Sequence, residues 1–113
     1  MTKYLISFPS GVMQVAHGDW DNVVEESHQV IRDMKAAGVY VFGGGINEEV
    51  EPVAVAGDGT VSEPRYAAFD KLDGGHTVIE VPTRDEAVEW ARRVAVACRC
   101  PQELREFMYD PES

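Results

Sequence analysis

The chain has 113 residues, 44% of them hydrophobic, with 20 acidic against 10 basic side chains and a formal net charge of −10. That apolar content suffices for a single folded domain over residues 1–113 and argues against wholesale disorder. A phosphate backbone and an anionic bilayer are both repelled by this average charge, so nucleic acid and membrane surfaces are excluded as default partners.

No apolar run reaches the roughly 18 residues of a spanning helix. Residues 1–11, MTKYLISFPSG, hold one lysine and a short apolar run. A signal peptide needs an apolar segment of about 7–15 residues, so this stretch reads as a first strand and the expected location is cytoplasmic. In a reducing compartment Cys98 and Cys100 are expected as free thiols. Their C-x-C spacing has no second cysteine pair and no histidine nearby, so neither a metal nor a cofactor is expected there.

Residues 3–8 alternate and stop at Pro9-Ser10-Gly11, which predicts a strand with a buried face. Residues 11–18, including His17, read as a loop. Asp19 or Asp21 is placed to cap a helix over about 20–37, on which Val23, Ser27, Val30, Ile31 and Met34 fall in one stripe. Gly38 follows as its C-terminal stop. Ser27 is the polar member of that stripe. It either bonds back to a carbonyl one turn earlier or faces a cleft. His28 sits at the boundary of the stripe.

Residues 39–42 predict a short strand ending at Gly43-Gly44-Gly45. The acidic segment that follows would repel a phosphate, so the glycines are not read as a nucleotide loop. Asp58-Gly59 between the β-rich runs 52–56 and 60–62 predicts a hairpin. A charged loop over 63–73 leads through Gly74-Gly75 to a strand at 77–81. Thr83 and Glu86 match a capping box for a second helix over about 84–97, with Ala87, Trp90, Ala91, Val94 and Cys98 on one face. Residues 104–109 predict a final strand. Two β–α–β halves sharing an antiparallel sheet point to a ferredoxin-like α+β sandwich, with two helices on one face and an inserted β-hairpin.

Several segments also resemble a known family. Lys3-Tyr4-Leu5-Ile6, the run from Met34 to Val41 with its glycines, the Asp58-Gly59 hairpin, Gly74-Gly75, and Asp85-Glu86-Ala87-Val88-Glu89-Trp90-Ala91 together resemble the YCII-related family, and within it the DGPF-domain branch. The resemblance runs over nearly the whole chain. It implies a dimeric α/β-barrel type of fold and a homodimer. The branch's Asp-Gly-Pro-Phe positions fall on Glu63, Pro64, Arg65 and Tyr66. The family's proposed His–Asp pair falls on Ser27 and near Val94, with His28 one residue away.

Two functional expectations follow. One is a dimeric module that binds a small molecule or partner, without the His–Asp pair. The other is an acid–base enzyme with a site rebuilt around Glu63, Arg65, Tyr66 and His76, in which Arg65 fixes an anion and Glu63 or His76 moves a proton. The ligand-binding candidates are Ser27, His28, Glu63, Arg65, Tyr66 and His76. A solvated Glu63–Arg65 ion pair is the plainer reading of that loop.

Overall fold

The computed structural model describes residues 1–69 and 72–113. It is a mixed α+β fold in which one four-stranded antiparallel sheet carries two helices. The elements in chain order are β1 (Thr2–Phe8), α1 (Trp20–Ala36), β2 (Tyr40–Gly45), β3 (Ala54–Val55), β4 (Val61–Ser62), β5 (Gly75–Val81), α2 (Arg84–Cys98) and β6 (Glu103–Glu106). The main sheet has the order β2-β5-β1-β6, and β3 pairs only with β4.

Alternation along β1 sends Tyr4 and Ile6 to the helix side, opposite Ile79 and Thr77 of β5. Tyr4, Ile6, Ile79 and Val81 form one core with Val30 and Met34 of α1 and Ala87, Ala91 and Ala97 of α2. The helices therefore share a face of the sheet. The other face carries Lys3, Leu5 and Ser7 beside Glu80, Val78 and His76.

The caps show which local signals prevail. Gly38 has φ +74, and Val39 N–H donates to the Met34 carbonyl at 3.0 Å, so α1 ends at glycine as expected. Thr83 Oγ1 accepts from Glu86 N–H at 3.2 Å, which starts α2. The start of α1 departs from expectation. Asp19 occupies the cap position, but its side chain makes no capping bond. Its carboxylate instead takes Arg99 Nε at 2.9 Å and Asn22 Nδ2 at 2.9 Å, because a guanidinium is the stronger partner for a charged acceptor.

Two strand boundaries also need correction. β2 does not stop before its glycines but runs through them, with Gly43, Gly44 and Gly45 opposite Thr77, His76 and Gly75. A bulge between Tyr40 and Phe42 precedes this paired segment. Backbone pairing to β5 outweighs glycine's poor strand preference, and a Cβ on Gly43 would lie 3.0 Å from Tyr40 Oη. The last strand ends at Glu106, opposite Tyr4, rather than at Tyr109. Phe107 N–H still reaches the Lys3 carbonyl at 3.0 Å, while Met108 and Tyr109 are exposed.

The hairpin forms as the Asp-Gly signal predicts. Gly59 has φ +91, Ala56 N–H donates to the Thr60 carbonyl at 2.8 Å, and Thr60 N–H donates to Asp58 Oδ1 at 2.8 Å. No helix among the described residues is long and apolar enough to cross a membrane.

Candidate functional site

The glycines decide where the space in this fold lies. Gly74 has φ +78, and a Cβ there would sit 1.9 Å from the Phe8 carbonyl oxygen. At Gly75 a Cβ would meet the Phe8 ring at 2.6 Å. These two positions accept no side chain, so β5 enters the sheet closely alongside β1. Gly43 and Gly45 continue the bare strip across to edge strand β2.

Between this strip and α1 lies a cavity of about 580 Å³. A volume of that size is ordinary for a small-molecule site. Its apolar wall comes from Ile6 and Phe8 of β1, Val30, Ile31 and Met34 of α1, and Val94 of α2. Trp20 stands at its rim and is mostly exposed.

The polar groups around the cavity are few. Ser27 lines the cavity, and its Oγ donates to the Val24 carbonyl at 3.0 Å, the back-bond expected of it, which leaves its accepting capacity unused. His28 is exposed on the same helix wall. Ser10 Oγ donates to Glu48 Oε2 at 3.1 Å, and Ser10 N–H donates to Asp73 Oδ1 at 2.8 Å, tying the rim of β1 to the loops beside it. His76 Nε2 is 3.1 Å from the Asp73 carbonyl oxygen, so the tautomer protonated at Nε2 donates there. Gln102 Nε2 faces the Cys100 carbonyl at 3.3 Å, and its Oε1 is buried with no donor among the described residues.

Cys98 also lines the cavity. Burial pushes its thiol up to about 11, with the neighbouring Cys100 adding to the effect. Burial raises Cys100 as well. Both thiols are free, and Cys98 is protonated at neutral pH, which makes it a poor nucleophile.

Of the six candidates read from the sequence, Ser27 and His28 share this cavity from α1; His76 borders it along β5, but its register with Ser7 puts its side chain on the opposite face of the sheet. Val94, to which the resemblance carries the second member of the family's pair, lines the cavity too. Glu63, Arg65 and Tyr66 do not. They are exposed on the segment after β4, where Tyr66 stacks edge-on against Phe69 with centroids 6.4 Å apart. Among the described residues neither the expected Glu63–Arg65 ion pair nor a hydrogen bond between any two of Glu63, Arg65, Tyr66 and His76 forms; the three loop residues sit on the projecting segment, away from His76 in the sheet.

Sequence reasoning passed over Ser10, Glu48 and Gln102. The glycine triplet was the available signal, since side-chain-free sheet opposite an amphipathic helix leaves room. Gln102, after Pro101, carries no local signal at all.

A scan against protein-family models gives no match to this chain, and a search of the curated proteins gives none either.

Proposed function

We propose that this chain is a ferredoxin-like module of the dimeric α/β-barrel type, in the DGPF branch of the YCII-related family, that binds a small molecule between α1 and the sheet. The observation that carries the reading is the cavity itself: mainly apolar walls, with a few polar groups around them. Glu48 and the Gln102 Oε1 are acceptors, and Ser27 Oγ has accepting capacity left. The matching ligand is mostly apolar, neutral or weakly basic, and presents N–H or O–H donors. The net charge of −10 favours the same class over an anion.

The module works as a homodimer in the cytoplasm, with the open face of the sheet supplying contact area. Phe42 and Val41 at that edge are exposed. Binding is preferred to acid–base catalysis because Glu63, Arg65 and Tyr66 lie outside the cavity and the His76 side chain is on the opposite face of the sheet.

Amide NMR during titration with a mixture of small aromatic amines tests the site. Shifts are expected to cluster on Ser27, His28, Gly43, Gly45 and Thr77. Shifts scattered over the surface, or confined to residues 107–113, would remove the assignment.

A further inference from the structure

The segment from Val50 to Phe69 leaves the sheet and packs on little but itself. Its β3–β4 hairpin pairs with no strand of the main sheet. Val50, Val53, Val55, Val61, Tyr66 and Phe69 on this arm are each at least 60% exposed. The molecule is correspondingly spread out, with a radius of gyration of 15.9 Å, where a compact chain of this length has about 13 Å. Its shortest dimension, 20 Å, is that of one sheet and one layer of helices, so the arm is not stacked on either layer.

The accessible surface is 8211 Å², where a compact monomer of this mass exposes about 6,200 Å². The excess, roughly 2,000 Å² per chain, is the scale that an obligate homodimer buries. An apolar surface present on every copy from synthesis needs an occupant in equal amount, and a second copy is the one always available. The cavity offers a counterpart. Trp20 and Ile46 on its wall and Val12 on the loop leading to it are exposed apolar groups. Charge agrees as well: Arg65 on the arm and Glu48 at the rim each lack an ion pair among the described residues.

We propose that residues 50–69 are an exchanged arm that packs on a second copy of this chain and closes the mouth of that copy's cavity. Arm and cavity mouth then satisfy one another twice under a two-fold axis, which ends assembly at two copies. Each ligand site is completed in trans, with Tyr66 and Arg65 of one chain beside Ser27 and His28 of the other. The inference rests on the dimeric reading above and assigns the arm's role in it.

The test uses the full chain with Val61 replaced by the photo-crosslinker p-benzoylphenylalanine. Light and heavy nitrogen-labelled copies are mixed, allowed to exchange and irradiated. Mixed-isotope crosslinks to peptides containing Val12, Trp20 or His28 are expected. In parallel, Val61→Lys, on an exposed position that leaves the core intact, is expected to weaken the dimer by at least about tenfold. Crosslinks only within one chain, or onto a foreign protein, overturn the proposal. So does a Val61→Lys dimer of unchanged affinity; loss of the dimer in Phe42→Lys then shows that the sheet-face dimer stands without the arm. A wild-type monomer at micromolar concentration by light scattering overturns both.

Discussion

Arg99 is the side chain on which the two helices depend most visibly. It sits at the end of α2 with φ 59, a left-handed conformation that non-glycine residues seldom adopt. Its guanidinium engages Asp19 through Nε at 2.9 Å, Glu26 through both terminal nitrogens at 3.0 and 2.9 Å, and the Val96 and Ala97 carbonyls at 2.9 and 3.0 Å. The start of α1 is thereby clasped to the end of α2. Hydrogen bonds from Arg99 hold the Asp19 and Glu26 carboxyls below their usual range, with Asn22 assisting at Asp19. Their stabilisation is complete above the unfolded values near about pH 4 and is lost as pH falls through the lower folded values. Arg99→Ala is expected to lower the melting temperature by several degrees at neutral pH, with the gap from wild type narrowing as pH falls below that point. A gap independent of pH would show that the ion pairs contribute nothing. Gly74→Ala meets both positive φ and backbone contact, and is expected to cost more than about 2 kcal/mol in chemical denaturation. Neither residue's partners could be read from the sequence. Asp19 and Arg99 are 80 positions apart, and Asp19 looked like an ordinary cap.

At the scale of elements, periodicity and turn chemistry carried the reading well. Both helices, the Asp58-Gly59 hairpin and the strand Thr2–Phe8 lie where alternation, caps and glycines place them, and the strands read at 39–42 and 77–81 also form, each lengthened by its neighbouring glycines to Tyr40–Gly45 and Gly75–Val81. The errors fall where tertiary pairing overrules local preference. β2 keeps its glycines because β5 bonds to them, and the pairing of β6 with β1 ends at Glu106, opposite Tyr4. Two of the six candidates were readable for a similar reason. Ser27 and His28 share a helix face that periodicity defines, whereas the position of 63–66 relative to that face is set by an arm whose path has no local code. Met34 is fully buried between α1 and the sheet, so Met34→Ala is expected to cost about 2–5 kcal/mol in urea. A loss under about 1 kcal/mol would mean that the helix–sheet core is looser than its packing indicates. On α2 and just beyond it, Cys98 and Cys100 are buried, and Cys98 is held protonated. A thiol reagent at mildly alkaline pH is expected to label neither quickly in the native protein and both after unfolding.

For the whole molecule, the acidic exterior, the bare glycine strip and the projecting arm belong to one design. The strip leaves a cavity under α1, the net charge of −10 disfavours the approach of anions, and the arm leaves its apolar side chains exposed. Gly45 offers the cleanest way to test the cavity, because a Cβ there meets nothing closer than the Gly74 carbonyl oxygen at 3.6 Å. A leucine at this position projects into the space without straining the strand. The deciding measurement is fluorescence titration with N-phenylnaphthylamine, a neutral, mostly apolar probe with one N–H donor. The wild-type chain is expected to bind one probe per chain saturably, and Gly45→Leu is expected to abolish that binding while keeping the wild-type melting temperature. Undiminished binding by a folded Gly45→Leu protein, or no saturable binding by the wild type, would contradict the assignment of a ligand site between α1 and the sheet.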